Sequence, residues 1–182
     1  MYFKTLDLYN CTIYNKINEK RSEIIKKTNA MRKLDQQNIE YKVYEYDISD
    51  GKIDGISVAK KVNKPLDSVY KTLVLKGNAY KYYVAVLPSD KDLSFQKLCK
   101  ITDEKKINFL DIDLLKKKTG YVKGGCSPIA MKNKYQTFFS KDILEKEKIL
   151  VNAGNRGILL SINPDDLINF LDAEVKNICK KG

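Results

Sequence analysis

The stretch Ser68–Leu75, which reads SVYKTLVL, determines the centre of the predicted fold. It is short, rich in β-branched and aromatic residues, and closed by Gly77-Asn78, so we predict a buried strand that turns into a second strand over Ala79 to Leu87. Lys71 interrupts the apolar pattern. The residues on its face of the strand are Val69, Leu73 and Leu75. A charge on such a face must either reach solvent or serve a ligand.

Short helices and strands alternate along the rest of the chain. Predicted helices begin at Ser22, at Ser57, at Ser89 or Asp90, at Asp111 and at Asn163, the last running to Ile178. Further predicted strands are Tyr41 to Asp47, Ile107 to Leu110, Thr137 to Phe139, Ile149 to Asn152 and Ile158 to Ile162. This order predicts a single α+β domain over residues 26–182, with a mixed sheet curled around its core. Residues 1–25 are expected to form an extension outside that core.

The composition is that of a folded globular protein with an excess of positive charge. The 34 Lys and Arg residues outnumber the 23 Asp and Glu residues, which gives a net charge of +11. Such an excess favours a polyanionic partner, of which RNA is the commonest example. A second interpretation stays open, because a genome rich in A and T also enriches Lys, Asn, Ile and Tyr without any ligand.

Histidine is absent, and its absence excludes several kinds of catalytic site. The chain has no Ser-His-Asp triad, no Cys-His pair and no histidine-ligated metal. The cysteines, Cys11, Cys99, Cys126 and Cys179, form no Cys-x-x-Cys pair, so we expect reduced thiols and no metal site. The apolar runs are too short to cross a membrane and the start lacks a signal-peptide core, so we expect a cytoplasmic protein without a cofactor.

Two glycine-bearing segments are candidate ligand sites. Gly124-Gly125-Cys126-Ser127-Pro128 and Gly154-Asn155-Arg156-Gly157 can bring backbone N–H groups close to an oxyanion or a phosphate. The alternative for each is an ordinary tight turn. Lys71 is either solvated or, if it is desolvated, a base or an anion anchor, and the Tyr46 phenol either binds a ligand or packs. Cys126 is a weak candidate nucleophile, because no histidine is present to form its thiolate.

An ordered set of six motifs covers the chain from about Lys26 to Asp172. In chain order they are KKTNAMRKLDQQNIEYKVYEYD, DGISVAKKV, VYKTLVLKG, YYVAVLPSDKDLSFQKL, TGYVKGGCSPIAMKNK and NAGNRGILLSINPDDL. This set resembles the YbaK family of aminoacyl-tRNA deacylases. The resemblance implies that family's curled, barrel-like mixed sheet flanked by helices, which is also the editing domain of some prolyl-tRNA synthetases.

The resemblance further implies an enzyme that removes wrongly attached cysteine from tRNA(Pro), with Cys-tRNA(Cys) as a further substrate and prolyl-tRNA synthetase as a candidate partner. In this branch of the family the substrate's own thiol is thought to attack the ester, so the protein need supply no nucleophile. Lys71 matches the family lysine and Tyr46 matches the family tyrosine, and both are expected to be catalytic. The residues expected to bind the substrate are Gly124, Gly125, Ser127, Gly154, Asn155, Arg156 and Gly157.

Two positions depart from the family pattern. Leu159 replaces the acid that close relatives carry after the second glycine turn, and Cys126 replaces a residue that is usually aliphatic. The first change leaves the specificity for cysteine open. The alternatives are deacylation of another small amino acid, such as alanine, and a tRNA- or synthetase-binding module without catalysis.

Overall fold

The computed structural model describes residues 26–78 and 81–180 of the chain. In this part of the chain, helices α1 to α5 span Asn29–Gln36, Gly55–Lys61, Phe95–Thr102, Ile112–Thr119 and Pro164–Leu171. Strands β1 to β8 span Tyr41–Glu45, Tyr70–Lys76, Tyr82–Pro88, Asn108–Phe109, Gln136–Ser140, Ile149–Asn152, Ile158–Ile162 and Glu174–Lys176. None of these described helices has the length and apolar character that crossing a bilayer requires. The predicted extension over residues 1–25, the helix start at Ser22 and the strand start at Ala79 lie outside the described residues.

The SVYKTLVL stretch forms one strand of the predicted hairpin. β2 and β3 pair antiparallel along their whole length, from Tyr70 opposite Pro88 to Lys76 opposite Tyr82. They belong to a five-stranded sheet ordered β4-β2-β3-β5-β8, to which β5 and β8 are added in parallel. Because antiparallel and parallel pairs share this sheet, the predicted mixed sheet is confirmed.

A second sheet adjoins the first near the start of β2. It contains three antiparallel strands in the order β1-β7-β6. A single parallel bridge between Val69 and Leu150 connects it to the β2 side of the larger sheet. The described strands therefore form two sheets and no closed barrel, so the α+β class is confirmed and its barrel-like detail is not.

The side chains of the two sheets divide into two apolar faces, because successive residues of a strand point to opposite sides. One face carries the main core, whose buried members include Tyr70, Val86, Phe139, Val151 and Leu160. The opposite face carries two smaller clusters. The first, which we call the α2 cluster, contains Tyr46, Val58, Ala59, Val62, Val69, Leu150 and Leu159. The second, which we call the α3 cluster, contains Leu75, Tyr83, Ala85, Leu87, Leu93, Leu98, Ile107, Phe138, Ile178 and Cys179.

Capping side chains fix where several helices begin. Asn163 begins α5 as predicted, because its Oδ1 accepts the backbone N–H of Asp165 at 2.8 Å and Pro164 fits the first helical position. Several predicted boundaries are wrong. α2 begins at Gly55, after its capping residue Asp54, rather than at Ser57. α3 begins after Ser94, whose hydroxyl accepts a backbone N–H of the first turn, rather than at Ser89 or Asp90. α5 does not reach Ile178, because the left-handed backbone of Asp172 ends it before the edge strand β8.

Candidate functional site

Lys71 lies on β2 in the gap between the α2 cluster and the α3 cluster. Val69, two residues before it, belongs to the α2 cluster, and Leu87, its partner on β3, belongs to the α3 cluster. The side chain is half-buried, and its Nζ donates a hydrogen bond to the backbone oxygen of Ser89 at 3.3 Å. The cation is thus held against the sheet by one long hydrogen bond, which leaves most of its donor capacity for a ligand.

Asn152 connects the strand of Lys71 to both glycine loops. In the parallel bridge Val69 pairs with Leu150, and continuing that register by two residues places Lys71 beside Asn152 on the same face. The Asn152 amide nitrogen donates to the oxygen of Gly124 at 3.1 Å, and its Oδ1 accepts the N–H of Gly154 at 2.8 Å. Asn152 is not among the predicted site residues. Its only signal was a polar residue at the end of an apolar strand, directly before a glycine turn.

The two glycine loops, Tyr121–Pro128 and Ala153–Gly157, pack against each other. The Arg156 Nε donates to the oxygen of Lys123 at 2.9 Å. A Cβ added to Gly125 would lie 3.2 Å from the backbone nitrogen of Arg156, and one added to Gly154 would lie 2.7 Å from the ring of Tyr121. Glycine is required at these contacts because any larger residue would force the loops apart.

Tyr46 follows β1 and joins the second glycine loop. Its backbone N–H donates to the backbone oxygen of Gly157 at 2.9 Å, and a Cβ on Gly157 would approach the backbone oxygen of Tyr46 to 3.2 Å. The ring is buried in the α2 cluster with Val69 and Leu159. Leu159, which occupies the position of the expected acid, is itself 4% exposed and makes this wall of the site apolar.

The backbone amides of the glycine loops are not all available to a ligand. The N–H of Gly125 donates to Val122 at 3.0 Å, and that of Gly154 is bonded to Asn152. Within residues 26–78 and 81–180, the amides of Gly124 and Cys126 have no acceptor. The Ser127 side chain is fully buried, and its hydroxyl accepts the N–H of Ile129 at 3.2 Å. Of the three consecutive amides from Gly124 to Cys126, those of Gly124 and Cys126 therefore remain available to an oxyanion.

The start of α2 packs against the carbonyl group that holds Lys71. A Cβ on Gly55 would lie 2.3 Å from the Cβ of Ser89, so the Gly55 backbone is in close contact with the Ser89 side chain. Ile53, two residues earlier, reaches the first glycine loop, since a Cβ on Gly124 would lie 2.4 Å from its Cδ1. The segment from Ile53 to Gly55 therefore links the Lys71 region to the loops. No hydrogen bond joins Lys71 directly to Tyr46 or to either loop in the part of the chain that the structure describes.

The cysteines offer no activated thiol in this region. Burial raises the pKa of Cys126 to about 12, so its thiolate is disfavoured at neutral pH. Among the described residues, no group of three or more cysteine or acidic side chains is arranged to hold a metal ion. The chemistry available at the site consists of a lysine cation, free backbone amides and an arginine, which together can bind an anion or stabilise an oxyanion.

A surface depression of about 420 Å³ lies elsewhere, at the opposite end of the β2–β3 ladder. It is lined by Lys81, Tyr82, Tyr83, Thr102, Lys134, Tyr135 and Gln136. Tyr83 pairs with Leu75, four residues along the strand from Lys71, which is a distance of about 13 Å. The depression contains none of the nine predicted site residues. We base the site on the convergence of Lys71, Asn152 and the two loops, because a shallow depression without a reactive group offers no chemistry.

Comparison with known proteins identifies the class to which this chain belongs. Residues 54–170 match the model of the aminoacyl-tRNA editing domain. The chain is a member of the aminoacyl-tRNA editing domain family, as the motifs of the sequence predicted. All of the predicted site residues except Tyr46 fall inside the matched range.

Three relatives are informative. A protein of Enterococcus faecalis, provisionally named Cys-tRNA(Pro)/Cys-tRNA(Cys) deacylase EbsC, is 35% identical over 155 residues, which are 85% of this chain and 94% of the relative. A solved structure provisionally described as a trans-editing enzyme for prolyl tRNA synthetase superposes with a TM-score of 0.75 at 17% identity, covering 85% of this chain and 99% of the other. A hypothetical protein superposes with a TM-score of 0.74 at 19% identity, covering 81% and 96%. The two structures support the fold alone.

Proposed function

We propose that the protein is a trans-editing deacylase that removes cysteine from Cys-tRNA(Pro), with Cys-tRNA(Cys) as a further substrate. Membership of the editing family and the name of the 35% identical relative support this substrate class. The observation that carries the proposal is the arrangement of Lys71 beside Asn152, whose amide holds both glycine loops. The need for such an enzyme is physical, because small differences in side-chain size give a synthetase pocket only about 1–3 kcal/mol of discrimination.

The reaction that fits this site uses the thiol of the substrate as its nucleophile. The sulfur bonds to the ester carbonyl carbon, and the bond between that carbon and the terminal ribose oxygen of the tRNA breaks. The thiol proton ends on that ribose oxygen, so the products are free tRNA and a cyclic thiolactone. The step needs no oxidant and no protein nucleophile, which agrees with a chain that has no histidine and whose Cys126 thiol is held protonated.

Several of the predicted residues have a role in this reaction. Lys71 anchors the acyl-adenosine end and polarises the carbonyl, because its half-buried ammonium retains unused donors. The amides of Gly124 and Cys126 stabilise the oxyanion that forms on attack. Tyr46 positions the substrate through its contact with Gly157, and Arg156 lies on the exposed side of the loops, where it can meet a phosphate.

Leu159 favours a second candidate, the removal of alanine by water attack. Its buried side chain gives the wall next to Tyr46 an apolar surface, which suits a methyl group as well as a thiol. Editing by water attack would need no thiol on the substrate. The choice of substrate therefore decides between the two reactions.

One assay separates these candidates from a binding module without catalysis. The protein is incubated with tRNA(Pro) charged with cysteine, alanine or serine, in parallel with its Lys71→Ala variant. Selective release of cysteine that the variant loses supports the main proposal, and release of alanine supports the second. Binding without release indicates the module. Equal clearance of cysteine and serine would contradict the attack by the substrate thiol, since a hydroxyl is a far weaker nucleophile than a thiol.

We further propose that the protein works in the cytoplasm, where charged tRNA is used, and that prolyl-tRNA synthetase is its partner. The name of the 35% identical relative supports the partnership, because the tRNA(Pro) in that name is the substrate that prolyl-tRNA synthetase charges. Co-sedimentation with prolyl-tRNA synthetase, with and without tRNA(Pro), tests it.

A further inference from the structure

The positive charge of the chain is concentrated in one segment. Residues 116–134 contain six lysines and no acidic residue, although the whole chain has 23 Asp and Glu residues. These lysines are Lys116, Lys117, Lys118, Lys123, Lys132 and Lys134, and we call them the basic track. Lys118 is half-buried and the others are exposed. Within this segment no carboxylate compensates their charge.

The fold gathers the two ends of this segment on one surface. The N–H of Lys132 donates to the oxygen of Thr119 at 3.0 Å. The Tyr135 hydroxyl and the Asn133 amide nitrogen both donate to the oxygen of Lys118, at 2.9 Å and 3.1 Å. The lysines at the end of α4 are therefore held beside those that precede β5.

Aromatic rings lie at one end of the basic track. The Nζ of Lys118 lies 4.5 Å from the centre of the Tyr82 ring, a cation–π contact. The Tyr82 and Tyr135 rings meet edge to face with their centres 6.0 Å apart. Both line the depression of about 420 Å³ described above. Lysines interleaved with tyrosine rings recur on protein surfaces that bind nucleic acid.

Lys123, in the middle of the segment, brings the basic track to the candidate site. Lys123 directly precedes Gly124, and its oxygen accepts the Arg156 Nε. Between Lys118 and Lys123 along the chain, the ring of Tyr121 packs against Gly154, and the side chain of Lys132 packs beside Gly120. Lysines of the basic track therefore occur both beside the rings of Tyr82 and Tyr135 and next to the glycine loops.

We propose that the basic track binds the sugar-phosphate backbone of the acceptor arm of the tRNA whose aminoacyl end occupies the site. This inference rests on the proposed function, because the site must hold that end. Lysine is suited to phosphate as a mobile point charge, and binding releases counterions from the RNA. The Asp172 carboxylate lies 3.0 Å from the Lys134 ammonium. Because these side chains are 82% and 77% exposed, a phosphate can readily replace Asp172 as the partner of Lys134.

The test compares two variants of the full chain that lose the same charge. The first is Lys117→Gln/Lys132→Gln/Lys134→Gln, in the basic track. The second is Lys33→Gln/Lys105→Gln/Lys148→Gln, which removes three exposed lysines from other parts of the chain. Affinity for uncharged tRNA(Pro) is measured at several salt concentrations. Release of cysteine is measured from Cys-tRNA(Pro) and from a cysteinylated CCA trinucleotide, which lacks the acceptor stem.

The track variant is expected to bind tRNA about tenfold more weakly, with a salt dependence whose logarithmic slope is smaller by about two. It should raise KM for Cys-tRNA(Pro) and leave cleavage of the trinucleotide unchanged, whereas the scattered variant stays within about threefold of the parent. Equal losses in both variants, or an unchanged affinity of the track variant, would overturn the inference. If the parent protein cleaves neither ester, the proposed function fails, while the tRNA affinities still test the track by themselves.

Discussion

The two ends of the β2–β3 ladder both carry polar side chains, but they differ in how completely those side chains are hydrogen-bonded within the protein. At the Leu75–Tyr83 end, Glu104 accepts the N–H of Asn78 at 2.9 Å and the hydroxyl of Tyr83 at 2.8 Å. At the Lys71–Leu87 end, the Lys71 cation makes one hydrogen bond of 3.3 Å. At the Leu75–Tyr83 end, which we call the closed end, these polar groups are hydrogen-bonded to one another. At the Lys71–Leu87 end, the Lys71 ammonium keeps most of its N–H donors free.

The pKa values at the closed end reflect this saturation. The Asn78 N–H, followed by the Tyr83 hydroxyl, holds the pKa of Glu104 below its ordinary value. Burial, together with the neighbouring carboxylate, raises the pKa of Tyr83 to about 12. Polar groups that stabilise the fold have their partners within the protein, whereas a binding site leaves them for the substrate. Substitutions at the two ends should therefore change different measurements.

The largest expected effect is the loss of catalysis on replacing Lys71. Lys71→Met keeps the aliphatic stem and removes the cation, so the deacylation rate of Cys-tRNA(Pro) should fall by about 100-fold or more. The midpoint of urea unfolding should change little, because a single long hydrogen bond is lost. Lys76→Met, a half-buried lysine at the other end of the same strand, is the matched control and should stay active. Equal activity of the two variants would remove Lys71 from the site.

The next effect comes from the glycine that touches Tyr46. Gly157 has φ 88° and faces the Tyr46 oxygen, whereas Gly51 has φ 69° and open space around it. Both Gly→Ala changes should lower the free energy of unfolding by about 1–2 kcal/mol, because each places a side chain in the left-handed region. Only Gly157→Ala should also slow deacylation, by about tenfold, through the displaced Tyr46. A comparable rate loss in Gly51→Ala would show that strain alone is responsible.

A smaller effect is expected at the closed end. Tyr83→Phe removes the hydroxyl that donates to Glu104 and should lower the free energy of unfolding by about 1 kcal/mol, measured by urea denaturation. Its deacylation rate should equal that of the parent protein. A slower rate with unchanged stability would mean that this end also contributes to catalysis, and the contrast between the two ends would be lost.

The smallest effect is the dependence of stability on acid pH. Because the folded-state pKa of Glu104 lies below its ordinary value of 4.5, its contribution is present above that pH and is lost as the pH falls through the folded pKa. The Glu104→Gln variant lacks this titration. Its urea midpoint should therefore vary less with pH below 4.5 than that of the parent. Parallel pH profiles for the two proteins would exclude Glu104 as a source of acid sensitivity.

Local patterns in the sequence predicted the β2–β3 hairpin and the start of α5. They predicted a mixed sheet, but not which strands pair in parallel. Gly77-Asn78 and the β-branched run are signals contained in a few neighbouring residues, and Asn163-Pro164 is a strong capping pair. The segment after Leu171 was predicted as helix because its apolar spacing fits one. Its pairing with Phe138 to Ser140 on β5 decides otherwise, and no local pattern reveals that pairing.

Of the candidate site, too, the sequence predicted some residues and could not reveal the contacts between them. Residue type alone selected Lys71 and the glycines, because a lysine in a strand and paired glycines are unusual. The sequence could not reveal Asn152 beside Lys71, since their neighbourhood depends on a parallel contact between distant segments. It also could not show that the amides of Gly125 and Gly154 are already bonded within the loops.

The bridge between Val69 and Leu150 has a consequence for the order of folding. The β2–β3 hairpin closes a short stretch of chain and forms rapidly, whereas bringing β6 to β2 costs the entropy of a much longer loop. A refolding chain can therefore acquire its central hairpin before Lys71 and Asn152 become neighbours. Recovery of enzymatic turnover after dilution from denaturant would then time the meeting of the two halves of the molecule.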